Sequence, residues 1–198
     1  MSGHRREANR QEIMALIKAN FLTLYAEGGL DHISIGALCE HCGISRSTFY
    51  YYYDDKYTVL ESIENELIDA LWNINSKFGW DILAIRSGTP SPAAKRTILY
   101  ITEHIATFKI LLGPYANPQF VYKWKRGLEQ HFSAFFMTEK GDPLTAEAAC
   151  TIFSSAAIGL FTKYVSGALI LTPDAFSIIL GNLLKYSLFD FHAFAKGD

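Results

Sequence analysis

A short run of hydroxyl, aromatic and basic side chains, residues 45–56, holds the groups in this sequence best suited to bind another molecule. Arginine donates paired hydrogen bonds to a guanine edge, serine bonds to any base, and tyrosine hydroxyls bond to phosphate oxygens. Four of these side chains recur at i, i+1, i+4 and i+5, which is one face of a helix: Arg46, Ser47, Tyr50 and Tyr51. Phe49 falls on the opposite face and is expected to pack inward. The pattern predicts a helix that presents a nucleic-acid-binding face to solvent.

A helix, a tight turn and a second helix are predicted around this run. Ser34 offers its hydroxyl as an N-cap, and Gly43 ends the first helix after about two turns. Ser45 caps the second helix, which ends before Asp54. This is the spacing of a helix-turn-helix, whose second helix enters the DNA major groove. An upstream apolar stripe completes a predicted three-helix unit: Ile13, Ile17, Phe21 and Leu24.

With these elements in place, the run Ser-Arg-Ser-Thr-Phe-Tyr-Tyr-Tyr-Tyr-Asp-Asp-Lys at residues 45–56 resembles the signature of TetR-like transcriptional regulators. Gly-Gly-Leu at 28–30 and Cys-Gly-Ile-Ser at 42–45 agree as well, so the resemblance covers residues 8–60. It implies an all-α homodimer with a DNA-binding domain at residues 1–55 and an effector-binding and dimerisation domain at residues 56–198. It also implies a near-palindromic double-stranded DNA operator and repression relieved by a ligand.

The resemblance assigns DNA contacts to individual positions. Arg46 and Ser47 match base-reading positions, and Thr48, Tyr50 and Tyr51 match positions that touch phosphate or base. Ser34 and Lys56 match positions that meet the phosphate backbone. With the helix-opening serine, the predicted DNA-binding set is Ser34, Ser45, Arg46, Ser47, Thr48, Tyr50, Tyr51 and Lys56.

Three positions depart from the family pattern. Gly36 stands where some members carry a base-contacting arginine, so base reading from the first helix of the motif is not expected here. Tyr52 stands where histidine is frequent, and Tyr53 where phenylalanine is usual. Both substitutions preserve aromatic packing and add a hydroxyl that needs a hydrogen-bond partner.

Composition bounds the class of protein. The 198 residues are 49% hydrophobic, which excludes a disordered chain, and three cysteines exclude a disulfide scaffold and favour a reducing, cytoplasmic compartment. The net charge of −2 argues against a nucleic-acid binder by count. Residues 1–60 are themselves not basic, with six Lys+Arg and seven Asp+Glu. We therefore expect weak non-specific DNA binding, in which placed hydroxyls and amides contribute more than charge.

The rest of the chain is predicted to be helical, with an irregular connection over residues 79–92. Further helices are expected at residues 93–112, 117–138, 145–166 and 173 to about 194. The last two are apolar in almost every direction, which predicts a four-helix bundle with a partner subunit, although a wholly internal core would give the same pattern. The predicted dimer interface is Phe153, Ala157, Leu160, Tyr164, Ile179, Leu183 and Tyr186.

An aromatic-rich stretch in the second half of the chain has the composition of a pocket for a small apolar or aromatic effector. Ordinary core filling explains any one of these residues equally well. The predicted pocket residues are Tyr100, His104, Phe108, Tyr122, Trp124, Phe132, Phe136 and Phe161.

Other functions have less support in the sequence. The run Cys-Glu-His-Cys at 39–42 lacks the ligands of a structural zinc site, because the only other cysteine is Cys150, so no metal or cofactor is expected. No catalytic constellation stands out, and the charge-free stretch 148–162 is too short to span a bilayer. One alternative remains open: an activator, or a family member that answers to a protein partner without a small-molecule inducer. A ligand-carrying or catalytic module with a vestigial DNA head is disfavoured by the presence of Arg46, Tyr50 and Lys56.

Overall fold

The computed structural model describes residues 2–76, 88–140 and 142–187. Within these ranges the chain forms nine α-helices and no β-strand, so the predicted all-α fold is confirmed. The first helices are α1 (Ser2–Gly28), α2 (Ile35–Cys42), α3 (Arg46–Tyr52) and α4 (Lys56–Asn75), with a 3-10 turn at Leu30–His32. The others are α5 (Pro92–Glu103), α6 (Ile105–Leu111), α7 (Pro118–Lys140), α8 (Pro143–Val165) and α9 (Pro173–Lys185).

The chain divides into two compact units. The first unit comprises the residues up to Leu67 together with the short segment Gly113–Ala116. The second comprises Ile68–Leu112 and the residues from Asn117 onward. The boundary between them falls within α4, between Leu67 and Ile68, whereas the functional division that the sequence predicts falls just before α4, after residue 55. That functional division stays a prediction.

The first unit is a small three-helix core extended by the start of α4. α1 packs on α2, and α2 packs on α3. The stripe expected on α1 is largely buried, since Ile17, Phe21 and Leu24 all lie in the core. Their partners from the other elements are Ile33, Leu38, Cys39, Cys42, Phe49, Val59, Leu60 and Ile63. This core fixes the orientation of α3, because Phe49 is completely buried in it.

The second unit is built around two packed helix pairs. α7 lies along α8, and α9 lies along α5. Its core is rich in aromatic rings, with Phe108, Trp124 and Phe161 buried and in mutual ring contact through Trp124. The centroids of Trp124 and Phe161 are 5.2 Å apart, and those of Phe161 and Phe176 are 5.0 Å apart. Ring pairs at such separations stabilise a core beyond the burial of their surface area.

Two helix boundaries differ from the sequence prediction. The helix expected over residues 93–112 is divided at His104, whose φ of −100° and ψ of 21° leave the helical region. The helix expected from residue 145 begins at Pro143, because the Asp142 carboxylate accepts the Thr145 amide at 2.8 Å and proline fits the first helical position. The predicted end of the last helix lies outside the described residues.

One described helix is long and apolar enough to cross a membrane by length and composition alone. It is α8, with a mean hydropathy of 1.5 over its best window. Nine of its residues are buried within the second unit, among them Phe153, Ala157 and Phe161. A buried core helix passes the same test, so α8 is weak evidence for a membrane segment.

Candidate nucleic-acid interface

Local capping sets the geometry of the helix-turn-helix. The Ser34 hydroxyl accepts the Ala37 amide at 3.1 Å at the start of α2. α2 ends at Gly43, whose φ of 64° and ψ of 32° are left-handed, a conformation that glycine adopts without steric cost. Two residues later, the Ser45 hydroxyl accepts the Thr48 amide at 3.1 Å and opens α3. The helix, turn and helix predicted from the sequence are therefore present, with the expected caps.

α3 sorts its side chains onto two faces. Phe49 and Tyr53 are buried against the first unit's core. On the opposite face Tyr50 is 54% exposed and Tyr51 is 79% exposed, and Arg46 and Ser47 are exposed beside them. The Tyr50 ring contacts the buried Phe49 edge-on at 5.5 Å, but more than half of each tyrosine side chain is exposed, so this face is available to a partner. The structure therefore brings together the four residues that the sequence grouped as a binding face.

The hydroxyls at the start of α3 bond to one another. Ser45 Oγ lies 2.8 Å from Ser47 Oγ and 2.8 Å from Thr48 Oγ1. Ser34 and Ser45 also serve as helix caps, so each has a structural role beside the predicted DNA contact. Ser47 is exposed and is not a helix cap, and its hydroxyl retains hydrogen-bonding capacity for a base edge or a phosphate.

Lys56 makes contacts that the sequence did not indicate. Its ammonium donates to the Leu30 carbonyl at 2.8 Å and to the Ile33 carbonyl at 3.0 Å. These bonds join the start of α4 to the 3-10 turn before α2. An ammonium has three protons, so one remains for a phosphate oxygen. The predicted phosphate contact of Lys56 therefore stays a prediction, now beside a structural role within the first unit.

The segment Gly113–Ala116 is a part of the first unit that sequence reasoning missed. The buried Tyr25 hydroxyl donates to the Tyr115 carbonyl at 2.6 Å. Burial raises the pKa of Tyr25, and the Glu64 carboxylate adds to that rise. A Cβ at Gly29 would lie 3.0 Å from the Tyr115 side chain, so this segment packs closely on the end of α1. The Gly-Pro pair at 113–114 marks a break in the sequence, but nothing in it indicates a contact 90 residues away.

The cysteines of the first unit are core residues. Cys39 and Cys42 are buried, and burial raises the pKa of both thiols. Among the described residues, no group of three or more histidine, cysteine, aspartate or glutamate side chains is placed to hold a metal ion.

In the second unit, most residues of the predicted effector pocket are packed together in the core. Phe108, Trp124, Phe132, Phe136 and Phe161 are buried, whereas Tyr122 is exposed. The half-buried Tyr100 and His104 are in tilted ring contact, with centroids 4.4 Å apart. The cavities beside Trp124 have volumes of only about 10 Å³, which is room for a single water molecule. In the described part of the chain these rings fill space and do not enclose a ligand-sized cavity.

A larger groove lies between α7 and α8, away from those rings. Its volume is about 470 Å³, and its lining combines the apolar Met137, Pro143 and Ala146 with the charged Arg126 and Glu147. The Cys150 thiol lies at its base and donates to the Glu129 carbonyl at 3.6 Å. Burial raises the pKa of this thiol to about 11, and the Glu129 carboxylate adds to the rise. No sequence pattern singled out this groove.

The predicted dimer interface divides into buried and exposed residues. Phe153 and Ala157 are buried inside the subunit, and the half-buried Tyr164 shares a 3.0 Å hydrogen bond with the Thr102 hydroxyl of the same chain. These positions lie on the inner side of α8. The sequence did not distinguish the inner side from the outer side, because apolar residues occur all around this helix. Ile179 and Tyr186 are exposed on the α9 segment, as expected of interface residues, and Leu160 and Leu183 are half-buried. The exposed side of α8 instead carries Ile152, Ser155 and Gly159.

Comparison with known proteins agrees with this geometry. Residues 22–63 match the family described as bacterial regulatory proteins, tetR family, which confirms the resemblance inferred from the sequence. The matched segment contains the whole of α2 and α3. No curated protein sequence matches the chain.

Among solved structures, the fold is similar to that of the flavonoid-responsive regulator FrrA. The TM-score is 0.55 at 18% identity, over 92% of this chain and 96% of that one. A TetR-family protein from Vibrio parahaemolyticus gives a TM-score of 0.49 at 19% identity, over 91% of this chain and 97% of that one. At these identities the similarity to FrrA concerns the fold alone.

Proposed function

From the match of residues 22–63 to the tetR family, we propose that the chain is a transcriptional regulator of that family, a ligand-responsive repressor that binds a near-palindromic operator as a cytoplasmic homodimer. The observation that carries the proposal is the exposed face of α3. Arg46, Tyr50 and Tyr51 point away from a core that holds the helix by Phe49. Regulators of this family are generally not enzymes, and we assign no catalytic activity.

The chemistry of this face fits DNA. The Arg46 guanidinium suits the O6 and N7 acceptors of guanine in the major groove. Tyr50 and Tyr51 combine a hydroxyl for phosphate oxygens with a ring that covers sugar and base edges. Within the chain, Tyr50 contacts Phe49 edge-on and Tyr51 contacts Tyr52 edge-on. More than half of each side chain remains exposed and is accessible to DNA.

Charge contributes less than placement in this proposal. Of the basic side chains in the first unit, Lys18 is ion-paired with Glu66, and Lys56 bonds to backbone carbonyls. Arg6, Arg10 and Arg46 are exposed. Because log K falls by about 0.9 per neutralised phosphate for each tenfold rise in salt, we expect a shallow salt dependence.

The homodimer proposal rests on the apolar side chains exposed on α8 and the α9 segment. Ile152, Ile179 and Tyr186 are 46%, 40% and 45% exposed, and Leu160 and Leu183 are half-buried. Gly159 has open space where a Cβ would be, so a partner helix can approach there closely. Two such helices from each subunit form a four-helix bundle. The dimer would set the two α3 helices about one DNA turn apart, roughly 34–36 Å.

For the effector, the proposal is a small apolar or aromatic molecule that separates the rings around Trp124. Such a ligand acts only if it binds one of two conformations better, typically by about 1–3 kcal/mol. The filled core favours a second candidate, in which the protein responds to a protein partner, or activates, without a small-molecule inducer. Mass spectrometry of the purified protein under native conditions separates the two: a co-purifying small molecule supports the effector, and its absence together with a captured protein supports the alternative.

The test of the central proposal is a DNA-binding assay with the full-length protein. A verified dimer should protect two half-sites, one helical turn apart, in the DNA upstream of its own or a neighbouring gene. The matched variants are Arg46→Ala on α3 and Lys163→Ala, an exposed cation on α8. We expect Arg46→Ala to weaken specific binding and Lys163→Ala to leave it unchanged. Absence of any specific complex at physiological salt would contradict the proposal.

A further inference from the structure

The first turn of α2 lies in close contact with the guanidinium of Arg46. A Cβ placed on Gly36 would be 2.8 Å from Arg46 Nη2 and 3.8 Å from Arg46 Cζ. Non-bonded heavy atoms are normally 3.5–4.0 Å apart. Any side chain at residue 36 would therefore push the guanidinium away from its observed position.

The backbone of Gly36 does not require glycine. Its φ is not positive, unlike those of Gly29 and Gly43 in the same unit. Within a helix, glycine is less favourable than alanine by roughly 0.5–1 kcal/mol. The local structure therefore gives no reason for glycine here, and the contact with Arg46 does.

A second observation places the Arg46 charge along α2. Cys39 lies one turn beyond Gly36, and the positive charge of Arg46 acts to lower its pKa, against the larger effect of burial. Among the described residues, no acidic side chain forms an ion pair with Arg46. The starts of α2 and α3 both carry the partial positive charge of helix N-termini, which disfavours a cation. The position of the guanidinium is thus determined by the space that Gly36 leaves, and its N–H groups remain available to an acceptor on another molecule.

We propose that Gly36 is a specificity-determining position of this regulator. Because residue 36 has no side chain, the Arg46 guanidinium can lie against the first turn of α2, in the position from which it binds a base. The inference rests on the proposed function, in which α3 enters the major groove. Gly36 acts through Arg46 and is a positioning residue. A Cβ at residue 36 shifts Nη2 by several tenths of an ångström, and bidentate pairing with guanine depends on the direction of both N–H groups.

The experiment is a double-mutant cycle on operator binding. Dissociation constants are measured for wild type, Gly36→Ala, Arg46→Ala and the double variant, on the operator and on its single base-pair substitutions. We expect Gly36→Ala to weaken binding about three- to tenfold and to reduce discrimination at the same base pair as Arg46→Ala. In the Arg46→Ala background, Gly36→Ala should have no further effect.

Thermal unfolding provides the readout that separates positioning from folding. Because Arg46 Nη2 is the far end of a flexible side chain, Gly36→Ala should unfold at the same temperature as wild type or higher. The matched control is Gly127→Ala in α7, where an added Cβ meets no atom within 4 Å. This control should leave operator binding unchanged.

Each contrary outcome has a distinct meaning. Wild-type affinity and specificity in Gly36→Ala, or an equal loss in the Arg46→Ala background, would overturn the inference and leave the proposed function intact. A lowered unfolding temperature that accounts for the loss of binding would also overturn it. Failure of the wild type to bind any specific DNA would overturn both.

Discussion

Two regions of this protein, the exposed face of α3 and the core of the second unit, use aromatic side chains in opposite ways. In the first unit, Tyr50 and Tyr51 are displayed on a two-turn helix with most of their rings in solvent. In the second, Trp124 and Phe161 are buried and stack on each other at 5.2 Å. The same residue class thus forms an exposed face on α3 and a packed core in the second unit.

This difference shows which kind of site can be inferred from composition. An aromatic-rich stretch in the second half of the chain resembles a pocket lining, yet its rings fill the core. The aromatic-rich stretch after the capping Ser45 is divided: Phe49 and Tyr53 are buried, whereas Tyr50 and Tyr51 are exposed. The number of aromatic residues does not distinguish the cases, whereas the burial of the helix face that carries them does.

The largest expected effect comes from removing a ring of the second unit's core. Phe161→Ala should lower the free energy of unfolding by about 3–5 kcal/mol, because it removes buried surface and leaves a cavity between Trp124 and Phe176. Urea denaturation measures the loss. Tyr122→Ala on α7 is the matched control: its ring is exposed, and its effect should stay within about 0.5 kcal/mol. Equal effects for the two variants would contradict the distinction between core and surface.

The next largest effect is a pH dependence of the second unit. The Cys150 pKa of about 11 lies above the ordinary value of 9.0, so the folded state favours the neutral thiol. The associated stability is complete below pH 9 and is lost as pH rises to about 11. The loss is on the order of 2 kcal/mol. Urea denaturation at pH 8 and pH 10.5 should show a smaller pH-dependent decrease in Cys150→Ala than in wild type. Identical decreases would show that the thiol is not the group responsible.

Tyr25→Phe tests the segment that completes the first unit. The variant removes the hydrogen bond from the Tyr25 hydroxyl to the Tyr115 carbonyl, at a cost of about 1–2 kcal/mol. Thermal unfolding of the full chain measures the change. Tyr57→Phe, with an exposed hydroxyl on α4, should be neutral. A neutral Tyr25→Phe would mean that Gly113–Ala116 is not tied to the first unit by this bond.

The smallest effect has the opposite sign. The Tyr53 hydroxyl is buried without a hydrogen-bond partner among the described residues. Tyr53→Phe removes that unsatisfied group and should raise the free energy of unfolding by about 1 kcal/mol. Tyr51→Phe, which alters an exposed hydroxyl, should have no effect on stability. A destabilised Tyr53→Phe would show that the hydroxyl is satisfied in solution.

The helix-turn-helix was predictable from the sequence because its signals are local. Ser34, Gly43 and Ser45 each act within four residues of themselves, and they determine where α2 and α3 begin and end. The spacing around Phe49 also indicated which side chains of α3 face solvent. The structure has the predicted caps, and Tyr50 and Tyr51 are exposed while Phe49 is buried.

The other features of the first unit and of α8 depend on packing between residues that are far apart in the sequence, which local sequence patterns do not indicate. The bonds from Lys56 to the Leu30 and Ile33 carbonyls join residues more than 20 positions apart. On α8, apolar residues on every side gave no means to distinguish the inner Phe153 from the outer Ile152. The closeness of Gly36 to the Arg46 guanidinium is likewise not indicated by the sequence, because it depends on how α2 and α3 pack.

The central claim is that the exposed aromatic face of α3 is made for DNA and not for the fold. The most direct measurement is the operator affinity of Tyr51→Ala, with its unfolding temperature determined on the same preparation. We predict binding weakened about tenfold or more, since a hydrogen bond to a charged phosphate contributes about 1.5–3 kcal/mol, and an unfolding temperature equal to that of wild type. Unchanged operator affinity in a folded Tyr51→Ala dimer would contradict the claim.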